Sequence, residues 1–472
     1  MMRARSNGLA LATALLCGAC AAPTTTTTDS TGAAPKPVQM PAGWNAPSTS
    51  STSLAERPFG ALFQDAELEA LIKEALSNNR DIRIAAQRVE LARAQYGLQR
   101  AAGLPNLGAD ASATRSQAPS GLSATENLTS SSYRLGLAMP AWEIDLWGRI
   151  ASLSDAALSN VRASEALRHF VEVGLVSQVA SGWLSLLEYD QSLLIAERTR
   201  VSRVESLRIV TLRFNAGIVS KVDVTQAETS LAQAQAAYAQ LQQKRGLQEN
   251  ALSQLAGRNP GPLRVSKPLD RYALPPALPA GIPSDLLTRR PDIRAAELSL
   301  AATQSSVEAA RKAFLPSISL TGFLGFISPQ LSQLIDSDRQ AYTLSPAITL
   351  PLFTGGRLSS NLEAAQAQQR IATEDYARTT QAALREVEDA LVSFQRLREQ
   401  QAAMQAIVKA SQERLRLVDL RYVNGISSYF EVLDSQRQLF DAELQLTQLT
   451  SGAYAAVIGL YRALGGGWTP QG

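Results

Sequence analysis

The stretch "RYVNGISSYFEVLD" (residues 421–434) reads as a tight turn feeding a helix, and it has a double. "RFNAGIVSKVDV" stands 208 residues earlier, and without a gap Arg213, Phe214, Gly217, Ile218, Ser220, Asp223 and Val224 meet Arg421, Tyr422, Gly425, Ile426, Ser428, Glu431 and Val432. Two further segments repeat in the same order. "DIRIAAQRVELARAQYGLQRAAGLP" starts at Asp81 and "DIRAAELSLAATQSSVEAARKAFLP" at Asp292, an offset of 211, and in each the Asp stands 24 residues before a proline. "GRIAS" from Gly148 and "GRLSS" from Gly356 return the offset to 208. The chain therefore reads as a tandem duplication, and each half is too long to be one solenoid repeat. The first repeat is expected over residues 59–256, the second over 289–464, with 257–288 as a Pro/Gly-dense connecting segment and 465–472 as a tail.

Composition narrows the function classes. Only 6% of the 472 residues are aromatic, and the abundance of Ala, Gln, Leu, Ser and Arg suits long helices packed through small side chains better than a bulky globular core. The formal net charge is +3, with no basic cluster interleaved with aromatics, so nucleic acid is not an expected partner. Both cysteines, Cys17 and Cys20, stand within the first twenty positions, which leaves none for a core disulfide. The single histidine, His169, has no second His or Cys nearby, so neither a His/Cys metal centre nor a histidine-based triad is expected. "TGGR" at Thr354 lacks the context of a phosphate cradle and no nucleophile stands beside a base, so no catalytic residue and no cofactor are assigned.

Residues 1–19 read as an export signal. Arg3 and Arg5 supply the positive region, "GLALATALL" (8–16) supplies an apolar core too short to span a membrane, and small residues follow. Gly18 and Ala19 ahead of Cys20 resemble a bacterial lipobox, with Cys17 at the place where that pattern favours Leu. On this reading Cys20 carries lipid; the alternative is ordinary cleavage after Ala21. Residues 20–58 hold "PTTTTTDSTGAAPKP" and "APSTSSTS" and read as a flexible tether, with folding starting near Phe59.

Four short segments alternate with period two, the signature of strands. They are expected near 105–118, 132–147, 315–327 and 340–353. In "YTLSPAITLPL" Tyr342, Leu344, Pro346, Ile348, Leu350 and Leu352 face one way while Thr343, Ser345 and Thr349 face the other. One apolar and one small polar face is what a membrane barrel needs, although a soluble sandwich with a solvated face shares the pattern. Four strands cannot enclose a lumen, and open edges are not tolerated in lipid, so a barrel requires several chains. The remainder is helical. No proline interrupts residues 148–215 or 356–424, and at 1.5 Å per residue each could reach roughly 100 Å. After each glycine turn runs a heptad-like series, Val224, Ala227, Leu231, Ala234, Tyr238 and Leu241, then Val432, Ser435, Leu439, Ala442, Leu446 and Leu449, which predicts coiled-coil hairpins over 148–256 and 356–464.

In combination, "LLTRRPDIRAAE", "FLPSISLTGFLG", "LPLFTGGR" and "RYVNGISSYFEVLDSQR" resemble the outer-membrane factors, the TolC- and OprM-like efflux channels, and among them the NodT-type lipoproteins. The resemblance implies a mainly α fold with a small β part: three chains sharing a twelve-stranded transmembrane barrel and an α-barrel of long antiparallel hairpins that crosses the periplasm. It implies an outer-membrane location and a passive exit duct, a homotrimer fed by a periplasmic adaptor protein and an inner-membrane transporter of RND type. Gly217 and Gly425 would be the periplasmic turns, Asp434 and Glu431 the acids of the closed gate, and Tyr422 with Asp223 a pair tying neighbouring coils together. Ser427 stands where some members carry a restraining arginine. From the residues alone, Asp223, Glu431 and Asp434 read equally as first-turn acids favoured by the helix dipole. A type I protein-secretion duct belongs to the same class, and a structural coiled-coil envelope lipoprotein would explain the signal and rods without the strands.

Overall fold

The computed structural model of the chain describes residues 40–45, 53–56, 59, 63–117, 129–275 and 277–466. Cys17 and Cys20 lie outside the described residues. The first half contributes helices α1 (Ala66–Asn78) and α2 (Arg80–Ala101), strands β1 (Gly108–Gln117) and β2 (Thr129–Ile144), then helices α3 (Arg149–Asn215) and α4 (Lys221–Leu255). The second contributes α5 (Pro291–Lys312), β3 (Ser317–Ser328), β4 (Gln340–Thr349), α6 (Arg357–Val423) and α7 (Tyr429–Ala463). The halves match in length: α3 and α6 each have 67 residues, and α4 and α7 each have 35. An uninterrupted 67-residue helix spans about 100 Å.

Local chemistry sets the boundaries. Asp65 Oδ1 accepts from the N–H groups of Glu67 and Leu68 at 2.9 and 3.2 Å and starts α1. Asn79 does the same for α2, and Asp145 accepts from Ile150 and Ala151 at the head of α3. Helix α5 opens on Pro291, where a missing N–H removes nothing. Arg290, buried, grips Asp292 at 2.7 Å, Glu386 at 2.8 Å and the Ala463 carbonyl at 2.9 Å, so the start of α5 is bolted to α6 and to the end of α7.

The tether and the connecting segment both hold packed chain. Leu54 and Ala55 are buried with Leu278, Ala280, Leu286 and Leu460, and Leu54 N donates to Pro279 O at 2.8 Å. Folded structure thus begins by residue 53 rather than near Phe59, because two apolar residues within a polar run find a hydrophobic groove. The connecting segment buries Leu269 and Tyr272 against Trp183, Leu184 and Leu187 of α3. Trp183 Nε1 donates to Asp65 Oδ2 at 3.0 Å, the Tyr272 hydroxyl donates to the same oxygen, and the Tyr454 hydroxyl donates to the Tyr272 carbonyl. Helix α3 holds one window apolar enough to cross a membrane, half of it buried within the chain, and the fully buried Trp183, Leu184, Leu186 and Leu187 on this helix mark it as the middle of the core.

The four strands form one antiparallel sheet in the order β1-β2-β3-β4, so β2 against β3 joins the two halves. Register puts Leu137 opposite Leu324 and Leu324 opposite Tyr342. The face holding Leu135, Leu137, Leu324, Tyr342, Leu344 and Ile348 is exposed. The other carries Asp110, Ser112, Thr114, Thr321, Thr343 and Ser345. Register shifts between Met139 and Trp142, at Pro140, which has no N–H to offer the ladder. The polar face holds one large apolar ring. Phe323 lies over Gly136 and Gly325, Arg134 stacks on the ring at 3.6 Å, and Asp110 pairs with Arg134 at 3.4 Å. A Cβ on Gly136 would sit 2.4 Å from the Leu324 carbonyl oxygen and 2.6 Å from Gly325 Cα. These are backbone atoms that cannot yield without breaking the β2–β3 pairing. Gly136→Val is therefore expected to abolish the folded, heat-modifiable band on a cold detergent gel, while the nearby exposed substitution Ser112→Val leaves it. Equal bands for both would show that the strands do not approach this closely.

Candidate functional site at the hairpin ends

Each hairpin turns on a glycine in the left-handed region, Gly217 at φ 74° and Gly425 at φ 73°. The following N–H returns to the helix, Ile218 to Arg213 O and Ile426 to Arg421 O, both at 2.9 Å. A side chain at either glycine would be strained, and this closure sets both turns. The helix ends pack through Val210 of α3, Val224 and Ala227 of α4, and Tyr429 and Val432 of α7.

Repeat-equivalent acids then do different things. Asp223 closes a capping box: its Oδ2 accepts from Ser220 N at 3.0 Å while its own N–H donates to Ser220 Oγ at 3.4 Å. At the start of α7, Ser428 makes no capping bond, and Glu431 is exposed. Asp434 is the most heavily engaged of the three. Its Oδ2 accepts from Arg414 Nη2 of α6 at 3.1 Å and from Gln438 Nε2 at 2.8 Å, and its Oδ1 accepts from Arg437 Nη2 at 3.0 Å. It clamps the two arms of the second hairpin. The Arg437 hydrogen bond, followed by the Arg414 charge, holds the Asp434 carboxyl below the usual carboxylate range.

Tyr422 and Asp223 do not bond within one chain. Tyr422 stacks near Tyr429 at 5.5 Å and under the Arg213 guanidinium at 4.6 Å, and its buried hydroxyl has no partner. Ser427 is also buried with an unpartnered hydroxyl. Of the buried polar side-chain atoms that lack a partner among the described residues, all but Arg134 Nε lie at this end: on Arg203, Gln226, Tyr422, Ser427, Tyr429, Ser435 and Gln436. Burial pushes the Tyr429 hydroxyl up to about 12 and pulls Arg203 down. A groove of about 920 Å³ runs between α3, α4 and α7, lined by Arg203, Lys221, Gln226, Phe430, Asp434 and Arg437 among others. Among the described residues no group of His, Cys, Asp and Glu is arranged to hold a metal ion.

Arg414, Arg437 and Arg203 are the site residues that sequence reasoning missed. Arg414 and Asp434 stand at nearly equal distances either side of Gly425, which in an antiparallel hairpin brings them level. Arg437 is three residues past Asp434, one helical turn away. Arg203 offers no such signal.

An uncovered apolar sheet face belongs in lipid, and rods of 67 residues with charged exposed faces belong in water, so this is a membrane protein with a long aqueous extension. The chain belongs to the outer membrane efflux protein family, which matches residues 71–258 and 282–466, one block in each half of the duplication. Outer membrane protein OprJ of Pseudomonas aeruginosa is 39% identical over 411 residues, 86% of this chain and 85% of its own. The solvent efflux pump outer membrane protein SrpC of Pseudomonas putida is 40% identical over 410 residues, covering 86% and 87%. Among solved structures, the outer-membrane channel OprN superposes with a TM-score of 0.84 at 30% identity, over 92% of this chain and 98% of that one. The open state of the MtrE outer membrane channel of Neisseria gonorrhoeae gives 0.82 at 34% identity, over 92% and 96%. The protein is thus an efflux channel component of the outer membrane.

Proposed function

We propose that three copies of the chain form one twelve-stranded barrel in the outer membrane and one α-barrel beneath it. This duct passively conducts small toxic molecules handed over by a periplasmic adaptor and an inner-membrane transporter, of RND type. The carrying observation is a four-stranded sheet with an exposed apolar face and two unpaired edges, β1 and β4. Such edges must pair in lipid, and twelve strands enclose water where four do not. Relatives named for antibiotic, toluene and solvent efflux point to small amphipathic and apolar cargo. Cys20, following a lipobox-like Gly18-Ala19, anchors the mature N-terminus by lipid. At the far end Asp434 and Glu431 form the resting gate. Tyr422 and Asp223 tie neighbouring coils; the unpartnered Tyr422 hydroxyl supports this, since orphaned buried groups are unfavourable unless another surface meets them.

Light scattering of the purified protein should give a trimer with an acylated Cys20 by mass spectrometry, and the trimer should carry current in planar bilayers. Deleting the gene should sensitise cells to solvents and amphipathic drugs. A stable monomer with full channel activity would sink the assembly, and an unmodified N-terminus at Ala22 would sink the anchor.

A further inference from the structure

The duplication shows what should cover the chain's open surfaces. Helix α5 is sandwiched, with α3 of the first repeat on one side and α6 of the second on the other. Its repeat equivalent α2 packs against α3 only. Side chains follow this difference. Ala295, Ala302 and Ala309 of α5 are 3, 4 and 4% exposed, whereas their equivalents 211 residues earlier, Ile84, Leu91 and Leu98 of α2, are 51, 59 and 75% exposed. The inversion recurs on the long helices at an offset of 208, where Ala163 of α3 is buried and Ile371 of α6 is exposed. Alanine occupies each closed position, and Ile or Leu each open one. Three large apolar residues at seven-residue spacing on an exposed helix face make a coiled-coil seam without its second helix.

We propose that the Ile84, Leu91, Leu98 row docks onto α6 of a second copy of this chain as α5 docks onto α3, and that β1 takes β4 of that copy in the register of β2 with β3. The inference rests on the trimeric reading and specifies its seam. Within the chain, Ala302 shares a cavity with Asn160 of α3, so Leu91 falls level with Gln368 of α6 in the second copy. The strand register transfers in the same way. The β2–β3 pairs Leu137 with Leu324, Met139 with Gly322 and Trp142 with Leu320 become Pro346 with Ala113, Ile348 with Ala111 and Leu350 with Ala109 across copies. All six of these side chains lie on the apolar side, so the lipid-facing band continues unbroken through the seam. The chain's inner seam is closed by alanine and its outer seam by larger residues, so assembly buries apolar area that the free chain leaves in water.

The test uses the full-length protein in outer-membrane extracts. The pair Ala111→Cys with Ile348→Cys should oxidise to reducible dimers and trimers on a denaturing gel, since directly opposed Cβ atoms lie about 4.5–5.5 Å apart. The pair Ala113→Cys with Ile348→Cys is two residues out of register, about 7–8 Å apart, and should not. Leu91→Glu, on a surface exposed in the chain, should keep its helical circular dichroism and lose the trimer in light scattering. A trimer in which the in-register pair fails to cross-link, or the offset pair wins, overturns this seam and leaves the trimer standing. A functional channel with no oligomer at all overturns the trimer itself. Undiminished trimer from Leu91→Glu gives the α2 row to lipid or another protein and overturns the helical half.

Discussion

Replacing Asp434 and Glu431 together by alanine is expected to leave a folded trimer whose resting current in planar bilayers rises severalfold. The two acids do not contribute equally. Asp434 holds Arg414 on the other arm of its hairpin and Arg437 on its own, with Gln438 completing the set, whereas Glu431 is exposed and spans no hairpin. Asp434→Ala alone, or Arg414→Ala alone, should therefore give most of the leak, and Glu431→Ala should mainly reduce cation preference. Charge compensation by two arginines also alters the expected pH response. A ring of bare carboxylates would take up protons readily, each charge raising the pKa of the next. Asp434 instead has its pKa depressed, so the clamp is complete above the ordinary carboxylate pKa and is lost only as pH falls through the lowered value. Resting conductance of the unmutated channel should stay flat from pH 7 to about 5, where an unperturbed Asp is still ionised. Single-channel recordings of the three variants decide this. If Arg414→Ala and Asp434→Ala both conduct like the parent, the clamp is a helix-surface contact and the constriction lies elsewhere.

Asp65→Ala is expected to have the largest effect on folding. One oxygen of Asp65 caps α1 through two backbone N–H groups, and the other accepts from the buried Trp183 indole and the Tyr272 hydroxyl. Losing an N-cap costs about 1 kcal/mol, and leaving each of two buried donors without an acceptor costs about 1–3 kcal/mol more. The total is roughly 3–6 kcal/mol, a large part of an ordinary folding free energy. The denaturant midpoint of purified protein should fall accordingly, and the yield of assembled channel with it. Tyr272→Phe removes one donor and leaves the acceptor engaged by Trp183, so it should cost only about 1 kcal/mol. Equal midpoints for Asp65→Ala and Tyr272→Phe would show that this cluster does not hold the middle of α3 in place.

Repetition, turns and strand faces were legible in the sequence because each is encoded locally. Gly217 and Gly425 announce the hairpin ends, a proline-free run of 67 residues allows a single rod, and alternation in "YTLSPAITLPL" dictates which face is apolar whatever lies beside it. Three things could be decided only by tertiary structure. Equivalent acids diverge: Asp223 turns inward to cap its own helix, while Asp434 reaches across a hairpin to Arg414, because hydrogen-bond partners depend on which side chains stand level after the chain folds back. Segments that look like tether and linker pack, since Leu54 and Tyr272 are buried by grooves assembled from residues hundreds of positions away. Finally, Ile84 and Ala295 occupy matching places in matching helices, yet one is exposed and the other buried. Periodicity can show that a helix has an apolar side, but only the arrangement of the surrounding helices determines whether this chain covers that side itself.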